Sequence, residues 1–341
     1  MIHLYPTTRR GRVRALVLAA VVVLPVLGYQ AWSPGEIITD GRYDLHTNGI
    51  WLAHGWLGDE AWFIENDREH QRAAYRDPVH VKAAVARWRT HHITDLFPHL
   101  APVESSGVLP GVDAAQVERF LDACDGMRVM PWVGGVRDGH CFPQSPRWRA
   151  RFVASVRDLL DTHPRLAGIH LNVEPWPSGD AEMLTLLEEL RAVMPRDKLL
   201  SVAAYPPPTR WHPYPEVHWD EAYFRQVATR CDQLAVMMYD TSIRLQKPYR
   251  KLMADWTRQV LTWSEGTPVL LGLPAYEDQD VDYHHPRVEN LDNALRGIHA
   301  GIAALGSPPS SYRGVAIYSD WTTDAHEWTT LRERFLAVTD E

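Results

Sequence analysis

The 341-residue sequence has only three cysteines, and its net charge of −8 leaves no basic surplus. Cys124, Cys141 and Cys231 do not make a disulfide framework, which excludes the small stapled scaffolds. Cys124 and Cys141 flank a strand candidate, so they lie at its opposite ends, out of bridging reach. An acidic balance gives no electrostatic reason to bind nucleic acid, and none is expected as a partner. No glycine-rich phosphate turn follows an early strand; Gly134-Gly135 is a lone pair, which argues against a doubly wound nucleotide-binding sheet. Metal-ligand spacing is also missing. His284-His285 with Asp280 and Asp282 contains no pair at helical ligand spacing, and the stretch reads as a solvated loop. No metal and no cofactor are therefore expected.

Long apolar runs are absent but for one. Arg9, Arg10, Arg12 and Arg14 precede a strongly apolar stretch from Ala15 to Gly28, followed by Tyr29 and Trp32. That stretch suits the core of a signal peptide, and extended to Trp32 it makes roughly 27 Å of helix, close to a membrane span. No small-x-small cleavage site follows it. The reading is an N-terminal signal-anchor or signal segment over 1–35, its basic flank cytoplasmic, with residues 36–341 outside the cytoplasm, anchored or secreted.

From about residue 49 the pattern changes to short apolar runs alternating with amphipathic stretches. Strand candidates are Ile50–His54, Ile93–Phe97, Arg128–Val133, Gly168–Val173, Leu199–Ala204, Gln233–Tyr239, Val269–Leu273 and Gly314–Tyr318. Helical patterns lie at Val79–Arg89, Asp113–Cys124, Pro146–Thr162, Asp180–Met194, Asp220–Arg230, Arg250–Thr262, Leu291–Leu305 and Asp324–Val338. Leu291, Leu295, Ile298 and Ile302 show the spacing that packs one helix face on a sheet. Eight strand–helix repeats predict an α/β fold, a single-domain (β/α)8 TIM barrel.

In such a barrel the chemistry sits at strand C-termini and the loops after them. The fourth strand is the most telling. Alternation puts His170, Asn172 and Glu174 on one face and Ile169, Leu171 and Val173 on the other. An acid beside an amide at a strand end suits glycosidic bond cleavage: the acid protonates the leaving oxygen, and the amide holds a developing positive centre or an acetamido group. The other strand ends supply His54 and Trp56, Phe97 and His99, Trp132, Tyr205, Tyr239 and Asp240, Tyr276 and Glu277, and Tyr318, Asp320 and Trp321. This mixture of acids and aromatics, in a chain with fourteen tryptophans, describes a sugar cleft better than a hydride- or phosphoryl-transfer site. An oligo- or polysaccharide is the expected partner. His170 reads as a hydrogen-bonded barrel residue, and Asp240 as either a site residue or a partner of Arg244 or Lys247.

The order of these segments resembles glycoside hydrolase family 18, the chitinase and endo-β-N-acetylglucosaminidase family. Val129 to Gly135 looks like its third-strand Ser-x-Gly-Gly and Gly168 to Glu174 like its fourth-strand acidic motif. Met237-Met238-Tyr239-Asp240 matches its Met-x-Tyr-Asp, while Leu271 to Tyr276 and Gly314 to Trp321 look like its last two strands. Trp132 stands where the family has Ser, and Ala167, His170 and Asn172 stand at its three Asp positions. Asn-x-Glu is also the pattern of family 85. The resemblance implies Glu174 as general acid/base, Asn172 as the group orienting a reacting acetamide, and Tyr239 and Asp240 as its hydrogen-bond partners. It also implies a subsite floor of Trp132 with Tyr318 or Trp321; Tyr205, Tyr276 and His54 complete the expected binding set. Three functions stay open. They are a substrate-assisted retaining glycosidase acting on an N-acetylhexosamine glycan, a double-displacement glycosidase with Glu277 as nucleophile, and a non-catalytic chitinase-like carbohydrate-binding protein.

Overall fold

The computed structural model describes residues 9–209, 212–277 and 281–337. A helix, α1 (Arg9–Ala31), precedes the barrel. The first repeat holds β1 (Asn48–Leu52), the short helices α2 (Glu60–Glu65) and α3 (Arg72–Arg76), and α4 (Pro78–Thr90). There follow β2 (Ile93–Pro98), α5 (Ala114–Ala123), β3 (Arg128–Val129), β4 (Trp132–Val136), α6 (Pro146–Thr162), β5 (Gly168–Glu174) and α7 (Ala181–Val193). The rest is β6 (Leu199–Ala204), α8 (Glu221–Ala228), β7 (Gln233–Val236), α9 (Gln246–Trp263), β8 (Val269–Pro274), α10 (Leu291–Ala303), β9 (Tyr312–Tyr318) and α11 (Ala325–Arg334).

All strand pairs are parallel, in the order β3-β2-β1-β9-β8-β7-β6-β5-β4. The two ends of that order are consecutive pieces of one strand. Met130 N donates to Leu96 O on one side and His170 N to Pro131 O on the other, while His99 bridges Trp132. The sheet therefore curls back on itself as a TIM-like barrel. The expected continuous strand Arg128–Val133 is split because Pro131 has no N–H to give the ladder.

The helices begin where a side chain takes up their free N–H groups. Asp77, Asp113, Ser145, Asp180, Asp220, Asn290 and Asp324 each accept a backbone N–H in the first turn of α4, α5, α6, α7, α8, α10 and α11. α9 starts a turn earlier than expected, since Pro248 is tolerated in a first turn. α2 and α3 were not anticipated, because Glu60 to Arg76 carries no apolar period.

Where the sequence pointed to a membrane anchor, the structure has α1 with Pro25 inside it. Among the described residues no helix is long and apolar enough to cross a membrane. The strongly apolar stretch Ala15–Gly28 would cover only about 21 Å of the roughly 30 Å hydrocarbon core.

Inside the barrel, Trp51, Phe97, Met130, Trp132, Ala235, Leu270 and Ala316 form one cluster. His170 is fully buried among them as the expected core histidine. Trp51 Nε1 donates to its Nε2 at 3.0 Å, so the ring proton sits on Nδ1, 2.9 Å from Ser201 Oγ. Burial pushes its pKa down to about 3 and the ring stays neutral.

Candidate active site

β5 delivers the acid. It is buried along its length until Glu174, which emerges at the barrel mouth. Asn172, two residues earlier on the same face, is 6% exposed and donates from Nδ2 to Glu174 Oε1 at 2.7 Å. With Nδ2 committed to the carboxylate, Asn172 Oδ1 is left buried with no hydrogen-bond partner among the described residues. The neighbouring strand has to pass very close for this arrangement. A Cβ on Gly134 (φ +128°) would meet Asn172 O at 1.8 Å, so only glycine fits there. That gives a physical reason for the Gly134-Gly135 pair.

Tyr205, after β6, is the second group on the acid, its hydroxyl 3.4 Å from Glu174 Oε2. Although Glu174 has an open outer edge, loss of hydration raises its pKa; the Asn172 and Tyr205 hydrogen bonds oppose this, and the charge of Asp240 adds to it.

Several aromatic residues converge at the barrel mouth, although Tyr205 packs on Trp219 instead. Tyr318 is the hub: Tyr239 stacks on it at 5.1 Å between ring centroids, and Tyr276, Trp321, Trp51 and Trp132 meet it edge-on at 5.6, 5.7, 5.7 and 6.3 Å. Trp321 is 46% exposed whereas Trp132 is 8% exposed and also packs on His99. The two tryptophans should therefore respond differently to truncation. Trp132→Ala is expected to cost about 3–5 kcal/mol of stability in a denaturation curve. Trp321→Ala should leave stability within about 0.5 kcal/mol and weaken oligosaccharide binding by about 1–2 kcal/mol in calorimetry. Equal effects of the two on stability would remove Trp321 from the floor.

Asp240 follows β7 with a left-handed backbone (φ +58°). The Tyr276 hydroxyl donates to its Oδ1, and His284 Nδ1 lies 3.5 Å away. These, rather than Arg244 or Lys247, are its partners; Lys247 is spent on the carbonyls of Tyr29 and Gln30. His284 itself is 1% exposed and stacked on Tyr276 at 4.1 Å, so the solvated-loop reading of 284–285 is corrected. Asp278 and Asp280 lie outside the described residues. Glu289, fully buried, accepts from Thr241 N at 3.0 Å. Neither His284 nor Glu289 was selected from the sequence, where both read as polar residues between elements.

The remaining expected residues are less central. His54 is tied to Asp59 Oδ2 at 2.5 Å and lies against Trp62 and His99, so its ring is engaged with the protein. Asp320 accepts from Trp88 Nε1 and Arg87. Glu277 is exposed and lines a groove of about 950 Å³ with Arg244, Arg287 and Glu327. Its charge acts on Glu327, raising that carboxyl to about 6 together with burial, the largest cause, and Asp324. Asp44, His46 and His92 gather before β1 and β2, at the barrel's opposite end. The Asp44–His92 contact of 2.5 Å is a hydrogen bond, and the histidine rings stack 13° from parallel, planes that share no point for an ion.

No protein-family model matches the chain, and no curated protein matches it. Solved structures do. The fold is similar to the chitinase of Chromobacterium violaceum, at 15% identity over 84% of this chain and 98% of that one, with a TM-score of 0.52. It is also similar to the spore cortex-lytic enzyme SleL of Bacillus cereus (10% identity, 85% and 75% covered, TM-score 0.52) and of Bacillus megaterium (12%, 85% and 74%, 0.51). At these identities the likeness is one of fold.

Proposed function

We propose that the protein is a retaining glycoside hydrolase that cleaves a glycan containing N-acetylhexosamine, with the substrate's own acetamide as nucleophile. The observation that carries this reading is the Asn172 amide: it holds Glu174 with Nδ2 and keeps Oδ1 buried, without a partner among the described residues. A buried acceptor without a partner is costly unless a ligand supplies a donor. An acetamido N–H is such a donor.

The steps follow from that pairing. Glu174, its proton retained by the raised pKa, donates to the glycosidic oxygen as the bond breaks. The acetamido oxygen attacks the anomeric carbon from the opposite face while Asn172 Oδ1 accepts the acetamide N–H, giving an oxazolinium. Tyr239, whose hydroxyl donates to no group among the described residues, and Asp240 hydrogen-bond the same intermediate. Water then displaces the acetamido oxygen from the anomeric carbon, Glu174 takes the water's proton, the acetamide is regenerated as the ring opens, and the configuration is retained. The stacked Tyr318 and Trp321 carry the sugar faces. The fold-level likeness to enzymes named as chitinases and cortex-lytic enzymes agrees with this reading.

The test is reducing-end release by the purified protein from β-1,4-linked N-acetylglucosamine, peptidoglycan, N-glycans and neutral glucans. Cleavage confined to the acetamido substrates is expected. Cleavage of neutral glucans sinks the mechanism, and binding without turnover on all four sinks the enzyme in favour of a carbohydrate-binding protein.

A further inference from the structure

Next to Asp240 lies a buried pair of groups that the proposed chemistry does not use. His284 Nε2 sits 3.1 Å from the Tyr276 carbonyl oxygen, which can only accept, so Nε2 carries a proton. Nδ1 then faces two carboxylates, Asp240 Oδ1 at 3.5 Å and Glu289 Oε2 at 3.8 Å. In the same place His284 Nδ1 and Glu289 Oε1 are buried without hydrogen-bond partners among the described residues. A bare nitrogen lone pair opposite two anions, with Glu289 fully buried, is the arrangement a protein interior tolerates least. One proton on the pair removes the conflict, either as imidazolium between carboxylates or as a neutral acid facing the ring.

We propose that His284 and Glu289 are positioning residues that hold one shared proton beside Asp240 and so set how strongly the Asp240 charge acts on Glu174. The link is physical: Asp240 Oδ1 is anchored by Tyr276, the side chain is 38% exposed, and its charge already raises the pKa of Glu174. Burial raises the Glu289 carboxyl to about 7, against the pull of Thr241 N and His284. The other titratable groups facing the pair are Asp240 after β7, Tyr249 of α9 and Tyr276 after β8. The sign follows for Glu289: below about 7 its carboxyl keeps the proton, and as pH rises past it one negative charge appears next to Asp240.

The consequence for catalysis rests on the glycosidase reading; the proton does not. Imidazole ¹⁵N NMR of the unliganded full chain, with the His284 signals assigned by their loss in His284→Gln, should show a step in the Nδ1 shift near pH 7 that disappears in Glu289→Gln. No step between pH 5 and 9, or the same step in the variant, overturns the proposal. On a glycan the parent cleaves, the alkaline limb of kcat/KM should lie at lower pH in Glu289→Gln than in the parent, because the charge that appears in the parent past about pH 7 helps Glu174 keep its proton, with KM within twofold. Identical profiles also overturn it. A parent without turnover removes the glycosidase reading and leaves the NMR result to decide the proton, as it does if Glu289→Gln fails to fold.

Discussion

Glu174→Gln is expected to reduce turnover about a thousandfold while the protein stays folded and still binds its glycan. General acid catalysis is worth roughly 10² to 10⁴ in rate, and the substitution removes the proton donor without changing volume. Binding should survive because the Gln oxygen still accepts from Asn172 Nδ2, as Glu174 Oε1 does at 2.7 Å. The pH profile carries the same signature. Dehydration raises the Glu174 pKa, so the acid form persists above the usual carboxylate range and activity is lost as pH climbs through the raised value. Near-parental turnover in the variant, on any substrate the parent cleaves, means that the acid is another group.

Much of this site was legible in the sequence because it depends on period-two alternation. Once Gly168 to Glu174 is read as a strand, Asn172 and Glu174 must share a face, and the structure has them hydrogen-bonded. The starts of the capped helices were equally legible, since Asp, Asn and Ser precede their apolar periods, whereas α2, α3 and α9, which lack a side-chain cap, were missed or misplaced. What escaped has no local signal. His284 and Glu289 are polar residues in a segment without periodicity, and their burial comes from the packing of that segment against α9 and the β8 end. The break of the third strand was visible as Pro131, but an apolar run from Arg128 to Val133 outweighed it. The different fates of Trp132 and Trp321, both at strand ends, follow from the barrel's closure and not from either residue's neighbours in sequence.

The second large effect separates the two retaining mechanisms. Substrate assistance requires Asn172 Oδ1 to hold the acetamide, so Asn172→Ala should lose at least about a hundredfold in kcat/KM. It should also move the alkaline limb upward, because the hydrogen bond that lowers the Glu174 pKa is gone. Glu277→Gln should stay within about twofold of the parent, since Glu277 lies along the outer groove and acts on Glu327. A thiazoline analogue of the cyclised intermediate should inhibit, being shaped like a species the site stabilises more than the substrate. Double displacement predicts the opposite set: Glu277→Gln inactive, a fluorosugar trapped on Glu277, and the thiazoline inert. That route needs two carboxyls about 5 to 5.5 Å apart across the bond, whereas the groups acting on Glu174 are Asn172, Asp240 and Tyr205. A mass shift on Glu277 after fluorosugar treatment would therefore overturn both the mechanism and the role given to Asn172, while leaving Glu174 as the acid.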